Sequence, residues 1–209
     1  MSIDREGKTV AVLGPQGRYE ESYDKLILAT GCRPVIPNIK GAQLANVCTV
    51  FTIDDVDKIM AALECGARSA VVIGGGFIGL EAAEALLKRG LNTTLVELAP
   101  TLMSSFDAEF SRPMERHLAA AGLKIRLGAS VSELRGDERG TAAVLADGTV
   151  LPADIVIMAA GIRPRTELAE KAGLPLGDTG AIRVNDAMQQ LGYDVYNLTG
   201  GYNAYIMDV

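Results

Sequence analysis

Ser69-Ala-Val-Val-Ile-Gly-Gly-Gly-Phe-Ile-Gly-Leu-Glu81, continuing to Glu97, is the stretch that decides the fold. Ser69 to Ile73 form strands readily and run straight into Gly74-x-Gly76-x-x-Gly79. A helical pattern follows, then a second apolar run, Leu91 to Val96, and an acid, Glu97. Strand, glycine turn, helix, strand and acid in this order are the fingerprint of a dinucleotide-binding β-α-β unit. Gly74 permits the tight turn off the strand. Gly76 lacks a Cβ, so a pyrophosphate can approach the backbone there. Gly79 lets the helix pack closely on the strand. Phosphates then meet free N–H groups at the positive end of the helix. Glu97 follows Gly79 by 18 residues, close to the usual spacing of about twenty, and would accept hydrogen bonds from the adenosine ribose.

The flanks of the motif agree with this. Glu81 and Glu84 lie early in the helix, Lys88 and Arg89 late, which complements the helix dipole. Gly90 is a C-terminal stop. Ala82, Ala83, Ala85, Leu86 and Leu87 supply helix formers and a buried face. The alternative is a structural glycine turn in some other α/β protein.

Composition narrows the function classes. Hydrophobic residues make up 48% of the 209 positions and charged residues 22%, as expected of a packed globule. Net charge is −6 with no basic run, which argues against nucleic acid and against an anionic membrane surface. No apolar stretch approaches the length of a membrane span, and the first residues carry no signal-peptide core. Cys32, Cys48 and Cys65 are widely spaced without a CxxC, so a reducing cytoplasm is the expected location. A single histidine, His117, makes no metal site alone, and no metal is expected.

Upstream of the motif, residues 8–13 read as a strand, Gly14-Pro-Gln-Gly17 as a turn and Tyr19 to Ser22 as the returning strand. Tyr23 to Ala29 reads as a strand becoming fully apolar, suited to burial. A helix is expected from Thr52 or so to Leu63, capped by Thr52 or Asp54. Downstream, a helix is expected over 107–121, with Pro113 warning of a kink or restart. Leu123 to Leu127 reads as a short strand. An antiparallel meander follows, with strands over 131–134, 142–145 and 150–151 and turns at Gly136-Asp137 and Asp147-Gly148. A buried strand over 153–159, a short helix over 165–172 and a strand over 181–184 complete the reading.

Three landmarks stand in fixed order. They are Leu28-Ala-Thr-Gly-Cys-Arg-Pro34, the glycine motif followed by Glu81, and Met158-Ala-Ala-Gly-Ile-Arg-Pro164. Together they resemble the pyridine nucleotide-disulfide oxidoreductase family, in its branch of coenzyme A-disulfide reductases, NADH oxidases and NADH peroxidases. The resemblance implies an α/β fold, with a Rossmann-like NAD(P)-binding domain and β-meander beside an incomplete FAD-domain remnant. It implies a partial FAD-binding domain over 1–64, the NAD(P) domain over 65–180 and a return strand over 181–189.

Carried over by position, Thr30 and Gly31 would lie near FAD. Gly74, Gly76 and Gly79 would hold the NAD(P) pyrophosphate, with Ile78 beside them. Phe77 would be an aromatic lid over the flavin, or else core packing. Glu81 would face the nicotinamide end, and Gly161 would flank the bound nucleotide. Glu97 places a negative charge where a 2′-phosphate would sit, so NAD(H) is expected over NADP(H). Hydride would pass from NAD(P)H to FAD in an intact relative. No residue of this chain is assigned a catalytic role.

Intact members of the family also carry a first GxGxxG for the FAD pyrophosphate and a redox cysteine. Neither motif occurs in this sequence, so the expectation is of an N-terminal truncation and of a chain that does not hold FAD tightly alone. Gln190 to Tyr205 resembles the last strand and helix of a rhodanese domain. That suggests a rhodanese-like remnant over 190–209 joined by an internal deletion near Gln189, the alternative being an ordinary Gly/Tyr-rich tail. Two function classes stay open: part of an FAD-dependent NAD(P)H oxidoreductase, or a non-catalytic dinucleotide-binding module. The partner is a small-molecule nucleotide in either case, with a homodimer possible through exposed flavin-domain strands.

Overall fold

Strands that are apolar on both faces need cover on both faces. The computed structural model describes residues 1–137, 140–183 and 205–207. In chain order its elements are β1 (Ser2–Asp4), β2 (Thr9–Gly14), β3 (Gly17–Ser22), β4 (Leu26–Leu28), β5 (Cys32–Pro34), β6 (Val47–Thr49), α1 (Ile53–Glu64), β7 (Ser69–Ile73) and α2 (Phe77–Lys88). Then come β8 (Asn92–Val96), α3 (Ala108–Ala120), β9 (Lys124–Arg126), β10 (Val131–Asp137), β11 (Gly140–Leu145), β12 (Val150–Ala153), β13 (Ile155–Met158), β14 (Ile162–Pro164), α4 (Glu167–Lys171) and β15 (Tyr205–Met207). The chain divides into two compact units, Pro34–Gly161 on the one hand and Met1–Arg33 with the segment from Ile162 onward on the other.

In the unit Pro34–Gly161, five parallel strands lie in the order β6-β13-β7-β8-β9. Side chains alternate between the two faces. Ala70, Val72, Leu95, Ile155 and Ile157 join one core with Ala83 and Leu86 of α2 and Leu118 of α3. Val71, Ile73, Val96, Val156 and Met158 join a second core with Leu134, Ala143 and Leu145 of the meander. Helices thus cover one face and the meander β10-β11-β12 covers the other. Val71, Val72, Ile155 and Ile157 are fully buried, and each such side chain contributes about 1.5–3 kcal/mol of burial.

The caps explain where the helices start. Thr52 Oγ1 accepts the Asp55 N–H while Asp55 Oδ2 accepts the Thr52 N–H at 3.0 Å, a reciprocal box that selects Thr52 over Asp54 as the cap. Pro113 does not restart α3, which runs unbroken over Ala108–Ala120. Pro113 and Glu109 are both exposed, so the carbonyl that the proline leaves without an amide sits at a water-facing position.

The division into units differs from the expected boundaries at 64/65 and 180/181. β6 pairs with β13, and Ile59, Ala62 and Leu63 of α1 pack on the helix-side core. These elements therefore belong with the five-stranded sheet. Gly136-Asp137 is not the first meander turn either, because the β10–β11 ladder continues to Asp137 and Gly140.

In the other unit, β1, β2 and β3 form an antiparallel sheet, with β2 and β3 joined by the expected turn. Gly17 adopts φ +114 there, a left-handed conformation open to glycine. Tyr23 to Ala29 is strand only at β4, and Ile27 is 58% exposed, so full burial of that run is corrected. A small core gathers Ile3, Leu28, Ala169, Leu174 and Ile182. β4 pairs antiparallel with β15, and β5 lies beside β14. The expected strand over 181–184 is reduced to a bridge between Leu176 and Ile182, and Val184 lies outside the described residues. The rhodanese-like stretch falls almost entirely outside them as well.

Candidate functional site

β7 is the point at which the sheet reverses its direction of growth. The chain runs outward from β7 to β8 and β9 on one side, then returns to β13 on the other. Open α/β sheets bind ligands in the crevice beyond the carboxyl ends of strands at such a point. A cleft of about 470 Å³ lies there. It is lined by the strand ends Ile73, Val96 and Ala159, by Gly74 to Gly76, by Glu97 and by Gly161.

Each fingerprint glycine meets a different constraint. Gly74 has φ +112, and an added Cβ would lie 2.2 Å from the Ala159 carbonyl oxygen. A Cβ at Gly79 would collide with the Gly74 carbonyl oxygen, so Gly79 sets the close approach of α2 to β7. A Cβ at Gly76 would meet nothing within 4 Å. Protein packing therefore gives no reason for glycine at Gly76. Gly76 is the N-cap of α2 and offers no capping side chain. The first-turn amides of a helix have no intrahelical acceptors, and here they stand beside a bare backbone at the cleft. Such a helix start is open to an anion.

The rest of the loop is tied down around this opening. Gly74 N–H donates to the Val96 carbonyl at 2.9 Å, and the Gly75 carbonyl accepts from Met103 N–H at 2.9 Å. Glu97 Oε2 accepts the Gly75 N–H at 2.5 Å, and Oε1 accepts the Ala99 N–H at 2.7 Å. A carboxylate offers about four lone-pair sites, so Glu97 keeps acceptor capacity beyond these two amides while it shapes the loop. Among the residues lining this cleft, Glu97 is the one that carries a charge.

Residues 1–198 match the pyridine nucleotide-disulphide oxidoreductase family. The chain belongs to that family. It is 38% identical over 192 residues to the NADH oxidase of Methanocaldococcus jannaschii, covering 90% of this chain and 42% of that protein. It superposes on the NAD-dependent persulfide reductase of A. fulgidus with a TM-score of 0.84 at 40% identity, covering 90% of this chain and 35% of the other. The water-forming NADH oxidase of Lactobacillus brevis, bound to NADH, gives a TM-score of 0.81 at 29% identity, with 90% and 42% coverage. The chain spans about two fifths of the length of these relatives.

Within this family frame, the structure gathers Gly74, Gly76, Glu97 and Gly161 around one cleft. Gly79 is buried behind it, and Ile78 and Glu81 are exposed on the first turns of α2. Phe77 is 62% exposed and meets Phe106 edge-to-face at 5.8 Å, so the core-packing alternative does not hold. Thr30 and Gly31 belong to the other unit. There Thr30 Oγ1 donates to the Arg165 carbonyl at 2.5 Å, and the Gly31 carbonyl accepts the Arg165 N–H at 2.9 Å. Sequence reasoning missed Gly75, whose added Cβ would meet Leu102 at 2.7 Å and the Glu97 side chain at about 3 Å. The run of three glycines was the available signal. It also missed Pro37, Ile39 and Ser130, which line the cleft without any local motif.

Cys32 and Cys48 are buried, and burial pushes the Cys48 thiol up, away from the reactive thiolate. Among the described residues, no helix is long and apolar enough to cross a membrane.

Proposed function

We propose that this chain is the NAD(P)H-binding part of an FAD-dependent oxidoreductase of the coenzyme A-disulfide reductase and NADH oxidase kind. The observation that carries the reading is Gly76, a helix N-cap at the cleft whose missing Cβ leaves space that no protein atom uses. The dinucleotide pyrophosphate would rest there, against the amides of Phe77 and Ile78. Glu97 would accept the adenosine ribose hydroxyls, and Gly161 would flank the nicotinamide half. Exposed Phe77 and Glu81 would stand at the nicotinamide end, toward the flavin. In such enzymes the cofactors carry the chemistry, a hydride passing from NAD(P)H to FAD, and the protein positions them.

NADH is preferred over NADPH in this reading, because the Glu97 carboxylate repels a 2′-phosphate. Thr30 and Gly31 fit a place beside FAD: Gly31 adopts φ +70, and the Thr30 hydroxyl, donating to Arg165, still has acceptor lone pairs. A cytoplasmic setting is in keeping with the two buried free cysteines. The exposed apolar Ile27 supports self-association as a homodimer.

Titration of the purified chain with NADH, followed by nicotinamide fluorescence, tests the reading. Saturable binding with a dissociation constant of roughly 1 µM to 1 mM is expected, the range of ordinary substrates and cofactors. No saturable binding would overturn it.

A further inference from the structure

The sheet sets an arginine in the strand beside Glu97. Arg126 ends β9 and lies opposite Val96 in the parallel register, and the Arg126 carbonyl accepts the Glu97 N–H at 2.8 Å. Across the sheet Met158, Ile73, Val96 and Arg126 form one row of strand-end residues. Met158, Ile73 and Val96 all face the meander side, so strand alternation sets Arg126 on that side too, with Ile125 turned to the helix-side core. A second cleft of about 500 Å³ lies there, lined by Arg126, Gly128, Asp147 and Thr149. It shares two walls, Ala129 and Ser130, with the nucleotide cleft. The two clefts are neighbours at the end where Glu97 marks the adenosine ribose.

The partners of Arg126 matter. It is exposed, and among the described residues it makes no ion pair within 4 Å. Asp147 shares its cleft, and the Arg126 charge is one of the influences that hold the Asp147 carboxyl low, after the hydrogen bonds from Thr149. Asp147 Oδ1 is itself fixed by the Thr149 N–H at 2.8 Å. A positive side chain thus lines the cleft that adjoins the nucleotide cleft, with the fixed Asp147 carboxylate in the same cleft.

We propose that Arg126 is the specificity-determining cation for a phosphate on the adenosine ribose. Asp147 draws it away from that phosphate, and Glu97 opposes the phosphate directly. The balance of these three groups, rather than Glu97 alone, decides how far this chain favours NADH over NADPH. The inference rests on the nucleotide site proposed above.

The test is a set of dissociation constants for NADH and NADPH with the full chain and its Arg126→Gln and Asp147→Asn variants. Arg126→Gln should weaken NADPH roughly three- to tenfold, and Asp147→Asn should tighten it by a similar factor, the scale of one partly exposed charge contact to phosphate. NADH should stay within about twofold in both, since it carries a neutral hydroxyl there in place of the phosphate, and added salt should shrink both NADPH effects. If wild-type NADPH binding is too weak for a further loss to be read, the gain in Asp147→Asn is the deciding arm. NADH binding with an unchanged NADPH to NADH ratio in both variants would overturn this inference and leave the nucleotide reading standing. Absence of NADH binding in the wild-type chain would overturn both.

Discussion

Glu97 Oε2 accepts the Gly75 N–H at 2.5 Å, so the acid that lines the cleft also holds the glycine loop in shape. The other oxygen, on the Ala99 N–H, fixes the exit from β8. Two effects should therefore appear together in Glu97→Ala. Loss of a carboxylate that accepts two backbone amides should cost about 1–3 kcal/mol of stability. NADH affinity should fall about tenfold, since each 1.4 kcal/mol is tenfold in binding. Glu97→Gln keeps an acceptor oxygen and should fall between wild type and Glu97→Ala. Urea denaturation and NADH titration of the same preparations read both quantities. A stable Glu97→Ala chain with unchanged NADH affinity would remove Glu97 from the site.

Gly79 and Gly76 should respond in opposite ways to the same methyl. A Cβ at Gly79 runs into the Gly74 carbonyl, a backbone atom that cannot swing aside. Gly79→Ala should cost about 3 kcal/mol or more, or prevent folding. A Cβ at Gly76 meets only open space, so Gly76→Ala should cost no more than about 1 kcal/mol at an N-cap. Denaturation midpoints compare the two. Equal costs would mean that α2 and β7 are not packed as described.

Thr52 should be the dominant cap of α1. Its hydroxyl and the Asp55 carboxylate satisfy each other's amides, and Asp55 Oδ2 also accepts from the Thr49 hydroxyl at 2.8 Å and the Phe51 N–H at 3.1 Å. Thr52→Ala should destabilise by about 1 kcal/mol, while Asp54→Ala should change little. A larger loss from Asp54→Ala in thermal melts would reverse the assignment.

Much of the nucleotide unit was legible because its signals are local. β7, α2 and β8 follow from apolar runs, a glycine turn and an acid, all within 29 residues of sequence from Ser69 to Glu97. The short strands β5, β6 and β14 were missed because three residues carry no periodicity. Their strand character comes from partners more than a hundred residues away, as when Cys48 pairs with Ile157. The same distance hid the Ser130 and Ile39 walls of the cleft, which come from a meander start and a proline-flanked loop. Full burial of Leu26 to Ala29 failed for a related reason. An apolar run shows what a strand needs, but the neighbours decide whether it gets cover, and Ile27 stays exposed.

Asp154 links acid stability to the start of the central strand. Its Oδ2 accepts the Arg68 N–H at 2.8 Å, the Ser69 N–H at 2.8 Å and the Ser69 hydroxyl at 2.9 Å. The Arg68 amide is the largest influence holding its carboxyl below the ordinary value of 3.8, against a partial opposing effect of burial. A lowered folded value means that this stabilisation is fully present above the unfolded pKa. It is lost as pH falls through the folded value. Asp154→Ala should cost about 1 kcal/mol at neutral pH, discounted for solvent at an exposed carboxylate. The gap between wild-type and variant melting temperatures should narrow as pH drops below about 4. A gap that widens on acidification would contradict the hydrogen-bond account.

The most direct test of the central claim is the NADH dissociation constant of the chain beside that of its Gly76→Val variant, with thermal melts of both as the control. Valine places two methyls where the pyrophosphate would approach, on a Cβ that meets no protein atom within 4 Å. The account predicts near-equal melting temperatures and NADH binding weakened at least about a hundredfold, on the order of the 2.7 kcal/mol that such a ratio represents. Equal NADH affinity in two equally folded proteins would contradict the assignment of this cleft as the dinucleotide site.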